Sequence, residues 1–377
     1  MRLGDVLTPT LILERAKLEA NLAAMTRRMK ALGVRLRPHL KTAKSAKIAE
    51  LAVAGNFGGL TVSTLAEARY FAEAGFRDLT YAVGLVPDKL PDLALLLREG
   101  IGLAALVDDE RNAQSLGSRA AALGVTLELL VEIDTGLGRA GLAPDAPELL
   151  AVAQTVHAHP HLRLKGVLTH AGHSYHCRGA EAVRRVAGEE RQGLVVAAER
   201  LRVAGLPCPV VSAGSTPTAV FAERLDGVSE MRPGNYMFFD LDQVGIGTCR
   251  VEDVAVSVLA TVIGHNRRSG TILIDAGALA LSKDIGAREF LPDAGYGWVL
   301  DRLGRERIAG LSVSDVHQEH GFVTTRQGPP PFDRLPIGSR VRVLPNHSCL
   351  TSAMYDRYHV VEGGEDILDC WPRINGW

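Results

Sequence analysis

Arg37-Pro38-His39-Leu40-Lys41-Thr42-Ala43-Lys44-Ser45 ends the first β-type run of the chain and leaves a lysine at its tip. An amine placed there, with its stem among apolar neighbours, can serve as nucleophile, base or Schiff-base partner. Taken alone, the stretch reads equally well as a turn carrying two solvated lysines, Lys41 and Lys44. The runs on either side decide. Upstream, Leu18, Leu22, Met25, Met29 and Leu32 recur at three- and four-residue steps, which predicts a helix over residues 15–32 with one apolar stripe. Downstream, strand-type runs recur at residues 59–63, 79–83, 103–107, 127–133, 164–169, 209–212 and 228–232, with helical patterns in most gaps. Gly75 and Gly205 stand where helices should end, and Pro87 where one should begin. Together with residues 34–39, the runs make the eight strands of a TIM-type (β/α)8 barrel. Their Val, Leu and Ile content suits burial on both faces. A doubly wound open sheet is the competitor, and no Gly-x-Gly-x-x-Gly follows the first strand to support it.

After Asp240 the pattern changes. Strand-type runs at residues 254–263, 271–275, 308–312, 339–344 and 359–362 are separated by turns with little helical character. The reading is an α/β chain of two domains, a barrel over residues 1–240 and a β-rich domain over residues 241–377, which an N-terminal strand could join.

The 377 residues carry a net charge of −1, which gives no reason to expect a nucleic acid or an anionic membrane as partner. Neither the start of the chain nor any later apolar run has the length of a signal or membrane-spanning segment. Five cysteines, an odd number, suit free thiols in a reducing compartment. The expectation is a cytoplasmic protein acting on a small molecule.

Catalytic residues of such barrels follow the strands' C-terminal ends. After the first strand comes Lys41, and after the fifth comes Asp134-Thr135-Gly136-Leu137-Gly138-Arg139. After the sixth comes His170-Ala171-Gly172-His173-Ser174-Tyr175-His176. The seventh leads into Gly214-Ser215-Thr216, and the eighth into Arg232-Pro233-Gly234-Asn235-Tyr236. One lysine, one arginine and a His/Tyr cluster then face one rim with Lys41, Arg139 and His170 as candidate catalytic groups. The last two loops are where this fold holds phosphate. A lysine across the mouth from a phosphate cradle suggests pyridoxal phosphate.

These stretches also carry a resemblance. Arg37–Thr42, Thr61-Val62-Ser63-Thr64-Leu65 with Glu67-Ala68, His170–Tyr175, Gly214–Thr218 and Pro345-Asn346-His347-Ser348-Cys349 are similar, in this order, to the D-serine dehydratase/D-threonine aldolase family, nearest its dehydratase branch. The resemblance implies an alanine-racemase-like barrel with a β domain, pyridoxal 5'-phosphate, a divalent metal (zinc, or manganese or cobalt) and a homodimer. It implies Lys41 as the cofactor lysine and Arg139 near the cofactor and the substrate carboxylate. Gly214, Ser215, Thr216, Gly234, Asn235 and Tyr236 fall on the cofactor loops, and His347 and Cys349 on the metal pair. For the pyridine nitrogen two candidates stay open: Arg232, as in the racemases, and Tyr175, as in the dehydratases and slightly preferred. His347 and Cys349 are two residues apart, so an extended segment would put both on one face. The implied activity is loss of water and then ammonia from a D-3-hydroxyamino acid (D-serine, D-threonine or D-threo-3-hydroxyaspartate). In this reading Lys41 moves the Cα proton and the metal assists the leaving hydroxyl. Retro-aldol cleavage to glycine is the alternative; the aldolases have His-x-Asp where this chain has His347-Ser348-Cys349.

Overall fold

A computed structural model describes residues 1–377, the side chain of Ala309 excepted. The chain divides into two compact units, one of Met1–Ala23 with Asn235–Asn375, the other of Ala24–Gly234 with Gly376–Trp377.

Strand β1 (Thr10–Glu14) leads directly into the helix Arg15–Ala31, whose Leu18, Leu22, Met25 and Met29 are buried as the apolar stripe requires. The second unit then holds β2 (Arg35–Leu36), β3 (Leu60–Val62), β4 (Asp78–Gly84), β5 (Gly102–Val107), β6 (Leu127–Ile133), β7 (Leu162–Thr169), β8 (Val210–Ala213) and β9 (Glu230–Met231). They form one parallel sheet in the order β2-β9-β8-β7-β6-β5-β4-β3. The order runs without reversal, so the sheet lacks the switch point of a doubly wound fold. Successive residues of β6, Leu129, Leu130 and Val131, are all buried, because a strand with neighbours on both faces has no solvent side. Every strand-type run expected in this unit is present, and the run at residues 127–133 has the bounds read from the sequence.

In the first unit follow β10 (Val256–Asn266), β11 (Thr271–Ile274), β12 (Trp298–Leu300), β13 (Arg307–Val316), β14 (Gly321–Thr324), β15 (Arg340–Leu344), β16 (Arg357–Val361) and β17 (Asp369–Pro372). With β1 they make a nine-stranded sheet, antiparallel except where β1 runs beside β16. Ile12 of β1, Leu259 of β10 and Val361 of β16 pack with Leu3 and Val6 into a core cluster. The sequence pattern did not announce β12, β14 or β17. Each has three or four residues, too few for an alternation to stand out from its turns. No helix among the described residues is long and apolar enough to cross a membrane.

Candidate active site

At the C-terminal ends of the parallel strands lies a cavity of about 330 Å³. Of the residues picked from the sequence, Lys41, Arg139, His170, Gly214 and Arg232 line it, joined by His39, Ser63 and Glu132. Tyr175, Ser215, Thr216 and Gly234 are not among its lining residues. The two lysines of the opening stretch part company here. Lys44 adopts a left-handed φ of +47° and pairs its amine with the buried Glu67 at 3.1 Å. Lys41 is the lysine that faces the cavity.

Two histidines sit beside it. His170 approaches the carbonyl oxygen of Gly214 through Nδ1 at 3.1 Å, and a carbonyl only accepts, so that nitrogen carries the proton and Nε2 keeps its lone pair. Burial, reinforced by the charge of Lys41, lowers its pKa to about 3. Burial, Lys41 and Arg232 likewise hold His39 well below the usual histidine range. Both imidazoles are therefore neutral at physiological pH.

Arg139 belongs to a loop shaped by Asp134, whose carboxylate accepts the backbone N–H groups of Gly136, Leu137 and Gly138 at 2.9, 2.9 and 3.0 Å. Its guanidinium reaches Glu132 on β6 at 3.5 Å. Glu132 is nearly inaccessible to solvent. Burial raises its pKa while Arg139 opposes the rise.

Arg232 ties three strand ends together. Nη1 donates to Ser212 Oγ (2.6 Å) and the carbonyl of Ala213 (3.2 Å), and Nη2 donates to the carbonyl of Thr169 (2.6 Å). Its Nε is buried with no hydrogen-bond partner among the described residues. Gly214 has a φ of +124°, and a Cβ there would stand 2.9 Å from the backbone nitrogen of Arg232, so the position demands glycine. The N–H of Gly214 donates to Glu190 Oε1 (3.1 Å), an oxygen that also accepts from Ala171 N (3.0 Å). Ser215 caps the short helix Thr216–Phe221: its N–H goes to Thr218 Oγ1, and its hydroxyl also meets Ser174 Oγ at 2.8 Å. Two N–H groups expected for a phosphate thus already have protein partners. The backbone of Gly234 lies against that of His39, where a Cβ would come within 2.7 Å of the carbonyl oxygen. Tyr175 follows β7 in the turn Gly172–His176, its ring centroid 6.5 Å from that of His170.

The other unit holds the second cluster. After β15, His347 is extended at φ −133°, but Cys349 lies in the helix Ser348–Ser352. The same-face argument for an extended His-x-Cys therefore fails, and the helical turn takes its place. Burial works to lower the His347 pKa, yet the neighbouring Cys349 and a hydrogen bond to Asp284 carry it upward. Ligand atoms of Asp242, Asp284 and His347 all lie within 4.8 Å of one another. Asp240 fixes the loop, its Oδ2 accepting from Ser348 N (2.9 Å), Ser348 Oγ (3.2 Å) and Asn235 Nδ2 (2.6 Å). The amide of Asn235 is thereby turned to Asp240. Tyr236 is fully buried, which raises its pKa.

Sequence reading missed Glu132, Glu190, Asp242 and Asp284. Only Asp240-Leu241-Asp242, a pair of carboxylates two residues apart, offered a local signal.

Both clusters fit the groups the sequence suggested. The cavity offers a lysine, two arginines and an orphaned buried donor, Arg232 Nε, which suits an anionic, ring-containing cofactor. In the second cluster no lysine or arginine among the described residues pairs with Asp240, Asp242 or Asp284. Their crowded carboxyl groups, with imidazole and thiol beside them, are a donor set suited to a divalent cation.

Residues 13–242 match the family model for the alanine racemase N-terminal domain, and residues 255–361 that for a putative serine dehydratase domain. The chain is 46% identical over 374 residues to the D-threo-3-hydroxyaspartate dehydratase of Delftia sp. (strain HT23), covering 98% of each chain. The solved structure of a cysteine-to-alanine mutant of a D-threo-3-hydroxyaspartate dehydratase, in its metal-free form, superposes with a TM-score of 0.96 at 44% identity, covering 100% of both chains. D-threonine aldolase from Filomicrobium marinum is further away, with a TM-score of 0.84 at 27% identity, covering 99% of this chain and 96% of that one.

Proposed function

This chain belongs to the alanine-racemase-like D-serine dehydratase/D-threonine aldolase family, and from that premise we propose that it is a pyridoxal-phosphate- and metal-dependent lyase that dehydrates and deaminates a D-3-hydroxyamino acid, with D-threo-3-hydroxyaspartate as first substrate. The products are a 2-oxo acid and ammonia. The observation that carries this reading is the convergence of Lys41, Arg139, His170 and Arg232 on one cavity at the strand tips.

Bound pyridoxal phosphate supplies the electron sink for loss of the Cα proton, and a divalent ion supplies a Lewis acid for the departing hydroxyl. Lys41 holds the cofactor and moves the Cα proton. Arg139 binds the substrate carboxylate, and Glu132 keeps the guanidinium over the cavity. His170, neutral and with Nε2 unprotonated, lines the cavity and would offer a bound cofactor an acceptor. The backbone of Gly214, Ser215, Thr216 and Gly234 would offer the phosphate its loops, for which the N–H groups of Gly214 and Ser215 would have to leave Glu190 and Thr218. Tyr175 would meet the pyridine nitrogen only by turning into the cavity, which it does not line; it stays the first choice because both terminal nitrogens of Arg232 already serve Ser212, Ala213 and Thr169. Arg232 Nε is the rival donor. His347 and Cys349 take the metal, and imidazole with thiolate favours zinc, with manganese or cobalt as substitutes.

The same reading extends to the architecture. The unit of Ala24–Gly234 carries the lysine, and the unit of Met1–Ala23 with Asn235–Asn375 carries the metal pair. The parallel sheet is read as a closed TIM-type barrel. Support comes from a parallel bridge between His39 and Thr61, with Leu40 N donating to Thr61 O (2.8 Å) and Thr61 N to Pro38 O (2.9 Å). The protein acts as a homodimer, for which the exposed apolar Leu279, Leu350 and Met354 offer surface. It acts in the cytoplasm, as five cysteines without a disulfide suggest.

A panel of D- and L-3-hydroxyamino acids, scored separately for 2-oxo acid, ammonia and glycine, tests the reaction. Oxo acid and ammonia in equal amounts from D-substrates are expected. Glycine as the main product would make the chain an aldolase.

A further inference from the structure

A histidine can bind a metal through either ring nitrogen, and which one is available is set by the hydrogen bond the other makes. Nδ1 of His347 lies 2.8 Å from Oδ2 of Asp284. A carboxylate is an acceptor only, so Nδ1 keeps its proton and Nε2 is the nitrogen that can give up its own to a metal. Asp284 is itself held in place. Its Oδ1 accepts the N–H of Gly286 at 2.8 Å, its own N–H donates to Ser282 Oγ at 3.2 Å, and its carbonyl accepts Nδ2 of Asn346 at 2.9 Å. Asn346 adjoins His347, so the loop carrying Asp284 and the loop carrying the imidazole are tied twice. Gly286 keeps the space open: a Cβ there would stand 3.1 Å from both carboxylate oxygens of Asp242 and 3.2 Å from Asp284 Oδ1. Asp242 differs from Asp284, since its Oδ1 is buried without a hydrogen-bond partner.

We propose that Asp284 is the positioning residue of the metal centre, fixing the ring of His347 so that Nε2 is the ligand atom. The proposal rests on the reading of His347 and Cys349 as the metal pair. It separates Asp284 from a direct ligand, although its carboxylate stands close enough to the imidazole to be mistaken for one. The carboxylate sets the tautomer, orients the ring and strengthens Nε2 as a donor.

The test is zinc affinity, measured by competition with a chromogenic chelator on the cofactor-loaded protein, in five proteins: wild type, Asp284→Ala, Asp284→Asn, His347→Ala and Cys349→Ala. Losing such a partner weakens metal binding by about 10- to 100-fold, and this is expected of Asp284→Ala. Asn keeps a carbonyl oxygen that can accept from Nδ1, so Asp284→Asn should recover most of that loss. The visible absorbance of the bound cofactor should be unchanged in both. If Asp284→Asn loses as much as Asp284→Ala, the carboxylate is a ligand and the proposal is wrong. Wild-type affinity in Asp284→Ala also overturns it, provided that His347→Ala and Cys349→Ala lose zinc. Wild-type affinity in those two variants removes the metal pair itself, and with it the premise.

Discussion

The strand-tip cavity of the parallel unit and the loop cluster of the antiparallel unit are assembled from opposite charges. The first gathers Lys41, Arg139 and Arg232 around two neutral imidazoles, with Glu132 as its one acid. The second gathers Asp240, Asp242 and Asp284 around a histidine and a cysteine. Each has an unmet need of the matching kind. Arg232 Nε is a buried donor without an acceptor, and Asp242 Oδ1 a buried acceptor without a donor. Burial together with Asp240 and Asp284 pushes the Asp242 pKa up to about 8. Leaving such groups unmatched costs about 1–3 kcal/mol each, more when charged, so each cluster has a reason to hold an oppositely charged guest. One is suited to anions, phosphate and carboxylate; the other is suited to a cation.

The comparison breaks first at Lys41. Lys41→Ala should lower turnover by about a thousandfold or more and abolish the visible absorbance of bound cofactor, with the fold intact by circular dichroism. A borohydride-reducible cofactor retained on Lys44 would show that the wrong lysine has been chosen. Next, chelation or His347→Ala should reduce dehydration by about a hundredfold or more while that absorbance stays, and zinc, manganese or cobalt should restore the chelated enzyme. Full activity in metal-stripped protein would leave the acidic cluster without its cation and return the elimination to the cofactor alone. A smaller effect is expected of Glu132→Gln, which removes the partner of Arg139 at constant size. We expect kcat/KM to fall by about tenfold, chiefly through KM, as an arginine loses its fixed aim at the substrate carboxylate. A fall in kcat at constant KM would move Glu132 from positioning to proton transfer.

Much of the strand-tip cavity was legible because the parallel fold repeats one rule. Each strand ends at the same rim, so a residue's place in the series gives its place in space, and Lys41, Arg139, His170, Gly214 and Arg232 could be read off in order. Glu132 escaped because an acid inside the largely apolar run Leu127–Ile133, like Glu128 in the same run, reads as a solvent-facing residue until both faces of the strand are known to be covered. The acidic cluster was half legible. His347 and Cys349, two residues apart, carry a motif, whereas Asp284 lies 63 positions before His347 and meets it only through the fold. The five-residue helix Ser348–Ser352 is shorter than two turns, so no helical period marks it and an extended segment was the natural reading.

The smallest expected effect is the most specific to the first site. In the folded protein the His170 pKa is about 3, lowered by burial and by Lys41, against about 6.5 in an unfolded chain. Between these values the unfolded chain binds a proton that the native state refuses, so stability is fully present above the unfolded value and declines as the pH falls through 6.5 toward 3. By pH 5 the loss from this one residue is about 2 kcal/mol at most. His170→Asn removes the titration while keeping a polar side chain, and its thermal midpoint should fall less between pH 7 and pH 5 than that of the wild type. The pH profile of kcat/KM for the wild type should likewise show no limb belonging to His170 between pH 5 and 8. Equal slopes in the two proteins would mean that His170 takes up a proton in the native state, and the cavity would then hold one positive charge more than its geometry indicates.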